Sequence, residues 1–434
     1  MNFISYLNMH RSRLGYVNCV LLISDVQLDS LTALKRRFEE LIFAPVFENS
    51  PDFPDFISLL RQGAIEEIDR QVEKRSFRRS KRRRQDVLPE TALRGPRAYN
   101  VGDLWLYQAS MRSHVGRIPR DYSGEPIELA KELGLLSPGY ALTEFGHMLS
   151  LFLRERVGEA VRPRAEPNPL QIYDDIALRL FYLYALVRSD VVFPAMLGAL
   201  AQGEPLKTEH ALTNALDELT KRIEAEGRLD AITEAQGLFK LRARIRKPRP
   251  SGQQSTELPV DKAQRVPRLE FAVDLGFLDR KDDSGTDRGG YCSTGALARV
   301  PIAFRALLER PSTTYQWLDR QFFAAAGMLY DRPLRKCDSV DERLLYFVKG
   351  GSFLKRKVGF VPGRVAAIIG CMYAWVDGVR LEIADLFDEV YRVPKGPWAG
   401  SIQFSGGSRL DSEFLVIIDA ELEGRLRGAV ANRR

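Results

Sequence analysis

Cysteine and histidine are scarce in this chain of 434 residues, with four of each. Cys19, Cys292, Cys337 and Cys371 lie far apart, with no Cys-x-x-Cys pair and no histidine clustered beside them. Protein zinc sites draw on close-spaced pairs of these residues, so the expectation is no metal and no cofactor. The same spread argues against a disulfide framework and for reduced thiols in the cytoplasm. Long apolar runs are missing as well. Val191–Ala201 and Val365–Val376 have the length of core helices, short of the roughly 20 residues that span a bilayer. The opening MNFISYLNMHRSRLGYVNCVLLISD lacks the basic, apolar, small-residue order of a secretion signal. No membrane partner is expected, and the expected location is cytoplasmic, at the nucleoid for a bacterial source.

Enzyme motifs are also lacking. GEPLKT at 203–208 is the nearest string to a phosphate-binding loop, but it has no second glycine. There is no serine nucleophile elbow. His114 and Arg117 match the His-x-x-Arg of tyrosine recombinases without the rest of that constellation. Carboxylates group at Asp174/Asp175, at Asp385/Asp388/Glu389 and at Asp411/Glu413/Asp419. A metal nuclease needs such acids to converge, commonly with a lysine two residues after one of them. EFLVIIDAELEG has no such lysine, and solvated charges on amphipathic elements explain the groups better. The expectation is therefore no catalysis, with a degenerate nuclease as an outlying alternative.

What the chain does have is concentrated positive charge. Its net charge is +7. KRSFRRSKRRR at 74–84 holds Lys74, Arg75, Arg78, Arg79, Lys81, Arg82, Arg83 and Arg84 with no acid, and the rest of the chain sums to −1. LRARIRKPR at 241–249 adds Arg242, Arg244, Arg246, Lys247 and Arg249, leaving −6 elsewhere. VKGGSFLKRKVGF at 348–360 is a smaller patch with Lys355, Arg356 and Lys357. Its Gly350-Gly351 pair reads as an ordinary loop, or as a backbone that can approach phosphate closely. A mildly acidic body with basic segments suits a polyanion, because each neutralised phosphate releases counterions.

With 45% apolar and 10% aromatic residues, large buried cores are expected. Composition and turn signals divide the chain into an N-terminal α/β or helical domain (1–73), a basic arm and linker (74–98), a first module (99–160), a helical connecting domain (161–242), a linker (243–262), a second module (263–300), a helical domain (301–375) and a C-terminal helix plus hairpin (376–434). VNCVLLISD reads as a strand and SLTALKRRFEELIF as the helix after it.

One local grammar occurs twice. ELAKELGLLSPGYALTEFG (128–146) and LEFAVDLGFLDRKDDSGTDRGGYCSTGAL (269–297) both run helix, Leu-Gly, apolar pair, polar turn, Tyr-x-x-Thr. Glycine suits the reversal because a left-handed residue is cheap only without a β-carbon. The pattern resembles the join between the third helix and the wing of a winged helix-turn-helix. Leu142, Thr143 and Gly146 match the Leu-Thr-x-x-Gly that ends the wing in that family, and Ser293, Thr294 and Gly295 match it loosely. A third copy, at 379–419, lacks the Leu-Gly join. The resemblance implies a mainly α fold with small β-wings, made of multiple winged-helix modules joined by helical bundles. It further implies duplex DNA as partner, with RNA as the alternative. Contacts would come from Arg117, Arg120 and Lys131 in the first module, and from Lys262, Gln264, Arg265, Arg268, Arg280, Lys281 and Arg288 in the second. A chain of this kind suits a non-catalytic subunit of a bacterial phage-defence, transposition or replication-initiation assembly, alongside other protein subunits. The competing class is a scaffold whose winged helices dock protein, since fold does not set function.

Overall fold

The computed structural model describes residues 2–4, 7, 14–24, 34, 125–157, 172, 175–203, 206–246, 260–280, 290–337, 339–358, 361–392, 398, 401–405, 414–417 and 421–432. These are mainly helical, with a few short strands, in line with the expected class. The chain divides into two compact units, Met1–Ala298 and Arg299–Arg434.

The first unit begins with α1 (Leu14–Ile23), every described residue of which except Ile23 is buried. This corrects the strand expected for VNCVLLISD. Periodicity cannot separate a short, fully apolar strand from a helix buried on all sides, and this segment packs against two helices, α2 (Glu125–Glu132) and α3 (Glu144–Val157). Its Asn18 side chain accepts a hydrogen bond from the Tyr182 hydroxyl at 2.5 Å, and Ser150 donates to the Leu21 carbonyl at 2.9 Å. Two more apolar helices follow, α4 (Ile176–Ser189) and α5 (Val192–Ala201), bent by 109° at their junction. Among the described residues no single helix is long and apolar enough to cross a membrane. Asp175 caps α4 by accepting from Ala177 and Leu178 N–H at 3.0 and 3.2 Å.

Next comes α6 (Ala211–Glu226), with Leu212, Leu216, Leu219 and Ile223 on its buried face. Gly227, at φ +64°, ends it. α7 (Leu229–Glu234) and α8 (Gln236–Arg246) follow, and α8 packs back on α6. Residues 243–246, assigned to a linker from composition, belong to α8, and 260–262 belong to α9 (Val260–Asp274).

The repeated grammar corresponds to one structure built twice. After α2, the amides of Leu133, Gly134 and Leu135 bond the carbonyls of Leu129, Lys131 and Ala130 at 2.9, 2.8 and 2.9 Å. After α9, those of Leu275, Gly276 and Phe277 bond Phe271, Val273 and Ala272 at 2.9, 3.0 and 2.8 Å. The glycines sit at φ +71° and +80°, where a β-carbon would strain the backbone. The chain then returns through an antiparallel pairing. In the first copy it is the single bridge Leu136↔Leu142; in the second it is the ladder β1 (Leu278–Arg280) with β2 (Tyr291–Ser293). Thr143 and Thr294 close the two joins, each hydroxyl donating to the carbonyl of its glycine, Gly134 or Gly276, at 2.7 Å. A helix follows each, α3 in the first copy and α10 (Gly295–Ala303) in the second.

The second unit starts with short helices, α11 (Arg305–Glu309), α12 (Thr314–Arg320) and α13 (Phe322–Leu329). They are held by Trp317, which meets Phe304 and Phe322 edge-on at 5.4 and 6.1 Å. A two-strand parallel pairing joins β3 (Arg335–Lys336) to β5 (Val379–Arg380). Around it the order is α14 (Val340–Val358), β4 (Val361–Pro362), α15 (Gly363–Val376), α16 (Ile383–Arg392), β6 (Ile402–Ser405), β7 (Phe414–Ile417) and α17 (Leu422–Ala431). β7 lies between β4 and β6, antiparallel to both. The C-terminal hairpin read from sequence is thus β6–β7.

Gly350 is not in a loop. It faces α15 from within α14, where an added β-carbon would lie 2.3 Å from the Ala366 carbonyl oxygen. That close crossing of two backbones, rather than an approach to phosphate, is what the glycine serves. Glu382, before α16, accepts from the first amides of α13, Phe323 and Ala324, at 3.1 and 2.8 Å. Burial pushes its carboxyl up to about 7 against the pull of those amides.

Candidate nucleic-acid interface

The second repeat holds Arg268, one of the residues expected to contact DNA. Arg268 follows the Pro267 of α9, and its side chain is fully buried. Its Nε and Nη2 donate to Asp190 at 2.7 and 3.1 Å. Nη1 donates to the Gln264 carbonyl and side-chain oxygens at 2.9 and 3.0 Å, and Nη2 to the Ile4 carbonyl at 2.9 Å. Asp190 also accepts from the Ile4 amide at 3.4 Å. This node ties the N-terminal residues, the α4–α5 corner and α9 into one core. A guanidinium with no exposed surface has nothing to offer a base, so the expected roles of Arg268 and of its buried partner Gln264 are corrected. The physical reason is Asp190: a buried carboxylate needs a counter-charge, and the apolar face of α9 carries Arg268 inward with it.

Arg280 is corrected in the same way. It is buried in an ion pair with Glu270, which also accepts from the Tyr291 hydroxyl at 2.7 Å. Arg265 is half-buried, pairing with Asp261 at 3.1 Å and donating to the Thr208 carbonyl at 3.2 Å. Lys262 is half-buried on the first turn of α9. In the first repeat, Lys131 pairs with Glu128 at 3.1 Å and sits 4.5 Å above the Tyr140 ring. Desolvation lowers its pKa, but the Glu128 carboxylate outweighs that and holds it above the ordinary value.

Two helices that precede or follow glycine turns, α2 and α16, are not basic. α2 reads EPIELAKE, and α16 reads IADLFDEVYR, with Asp385 and Asp388 exposed and Glu389 buried against Arg343 at 2.6 Å. Phosphates repel such faces.

Basic residues gather instead on α8, QGLFKLRARIR, which has no acid. Leu238 and Leu241 face inward. Lys240 and Arg244, one turn apart, are exposed, and neither forms an ion pair among the described residues. Arg242 and Arg246, also one turn apart, both grip Asp217 of α6, Arg242 at 2.6 Å. Partial burial pushes the Asp217 carboxyl up, but the two arginine bonds prevail and hold it below the usual carboxylate range. Sequence reasoning missed Lys240, which precedes the quoted basic string by one residue, and Asp217, which is distant in sequence.

Lys74, Arg75, Arg78, Arg79, Lys81, Arg82, Arg83, Arg84, Arg117, Arg120, Lys247, Lys281 and Arg288 lie outside the described residues. Lys355, Arg356 and Lys357 fall in the last turns of α14.

Among the described residues, no group of three or more His, Cys, Asp or Glu converges as a metal site would require. Burial pushes the thiols of Cys19 and Cys337 up to about 12, which leaves them un-ionised and poor nucleophiles. The chain matches no protein-family model, no curated protein and no solved structure.

Proposed function

We propose that the chain is a non-catalytic nucleic-acid-binding subunit that grips the phosphate backbone through basic segments and uses winged-helix modules as framework and docking surfaces. Three modules are assigned, around 125–157, 260–303 and 340–417. The first two rest on the shared helix, Leu-Gly, hairpin, threonine, helix structure. The third rests on the order helix, strand, helix, short strand, helix, strand, strand, with the last strand between the other two of its sheet; apart from the short β5, this order fits a winged helix.

The observation that carries the reading is the segregation of charge. Arg268 and Arg280 of the second module turn inward to Asp190 and Glu270, whereas α8 presents Lys240 and Arg244 to solvent. Affinity would then be largely independent of sequence, since phosphate contacts position a protein without reading bases. The exposed Asp385 and Asp388 of α16 favour a protein partner for the third module, as in a multi-subunit assembly.

A mobility-shift titration on a mixed-sequence duplex at several salt concentrations tests this. Replacing Arg78, Arg79, Arg82, Arg83 and Arg84 with alanine is expected to flatten the log–log salt slope by up to about 4–5, at roughly 0.9 per lost contact. Absence of duplex binding by the intact chain at low salt overturns the reading.

A further inference from the structure

α8 carries two basic stripes that differ in one respect. Lys240 and Arg244 stand in solvent, and Arg242 and Arg246 are engaged by a single carboxylate, Asp217. Two guanidinium groups one helical turn apart converge on one small anion, with Asp217 standing where a phosphate oxygen would be gripped. The side chains are part-exposed, 32% for Arg242 and for Asp217 and 53% for Arg246. Ion pairs this open contribute little to stability, so the arrangement is a weak choice for holding α6 to α8. Leu238 and Leu241 of α8 are buried, and α8 packs on α6, so burial of apolar surface is the stronger hold.

We infer that the α6–α8 hairpin is a phosphate-backbone binding surface whose arginine pair is held in reserve by Asp217. Resting on the nucleic-acid reading above, it adds a second site apart from the 74–84 segment and a means of restraining it. Lys240 and Arg244 make the standing contacts. Arg242 and Arg246 become available when the Asp217 carboxylate is neutralised or drawn away, for instance by a cationic partner.

The test uses the full chain and the same duplex titration. Asp217→Asn keeps the shape and removes the charge. It is expected to bind more tightly and to steepen the salt slope by up to about 2, at roughly 0.9 for each arginine released. Adding Arg242→Ala and Arg246→Ala to Asp217→Asn is expected to return the slope to that of the unmodified chain. Lys240→Ala with Arg244→Ala, which leaves the Asp217 pair intact, is expected to flatten the slope by up to about 2.

If the gain from Asp217→Asn persists in the triple variant, it reflects only the loss of a negative charge, and the reserve role falls. If the unmodified chain binds and the 74–84 variant loses slope, but neither α8 variant changes it, the inference fails and the broader reading stands. If the unmodified chain does not bind, the broader reading fails with it.

Discussion

The turn at Gly134 and the turn at Gly276 make the same hydrogen bonds, and both place a tyrosine hydroxyl on a glutamate of the preceding helix: Tyr140 on Glu128 at 3.1 Å and Tyr291 on Glu270 at 2.7 Å. Each glutamate also holds a cation, Lys131 in one and Arg280 in the other. The copies differ in where that triad lies. Glu128 and Lys131 are 33% and 25% exposed, whereas Glu270 and Arg280 are 2% and 1%. The return path differs too. The first copy turns back so tightly that Tyr140 takes φ +64°, which is costly for a residue with a side chain; in the second, Tyr291 lies in the β2 strand. One backbone solution thus carries a surface contact in one place and a core contact in another. Neither leaves its cation free for a nucleic acid.

The sharpest break of that comparison is Arg268→Ala, which leaves Asp190 of the α4–α5 corner buried without its counter-charge from α9. A loss of about 3–5 kcal/mol is expected on denaturant unfolding. Replacing both partners with apolar residues of similar size is expected to cost clearly less. Equal costs would show that the charge is not what matters.

Glu270→Gln against Glu128→Gln comes next. The buried site is expected to lose about 3 kcal/mol and the half-buried one under about 1. Similar losses would mean that the difference in burial has no energetic weight.

Gly146→Ala probes a feature that only the first copy has. A β-carbon there would lie 1.8 Å from the Leu135 carbonyl oxygen, whereas the third residue after Thr294 is a buried leucine, Leu297. A destabilisation of about 1–3 kcal/mol is expected, because α3 must move off the Leu135 backbone. An unchanged melting temperature would contradict that packing.

The smallest effects belong to what the copies share. Thr143→Val and Thr294→Val are each expected to cost about 1 kcal/mol through the lost bond to the glycine carbonyl. Gly134→Ala is expected to cost about 1 kcal/mol from its positive φ alone, since no atom lies within 4 Å of the added carbon. Matched values in the two copies would support a common module. A large asymmetry between the two threonines would sharpen the contrast instead.

The repeat was legible because its determinants are local. A glycine in the left-handed region, an apolar pair and a threonine that bonds back across the turn all act within about 20 residues of sequence in the first copy. The helix pattern of α6 and the β6–β7 hairpin were legible for the same reason, through their periodicity and turn residues. α1 was misread because a short run apolar on all sides carries no period, and only packing against α2 and α3 selects helix. Gly350 was misread because only the packing of α14 on α15 brings the Ala366 carbonyl against it, and no turn or period in the sequence announces that crossing.

For the candidate site, the sequence by itself determined where positive charge is concentrated and where the chain turns. It could not say which cations meet solvent. Arg268 and Arg244 are both helical arginines with other cations close by in the sequence, and their charge and neighbourhood alone do not say which one is buried. Tertiary structure decided that Asp190, 78 positions away, takes the first into the core, while Asp217 restrains the neighbours of the second and leaves Arg244 exposed. The reason is physical: the free energy of a charge depends on its distance to the nearest opposite charge and on the water it retains, and folding sets both.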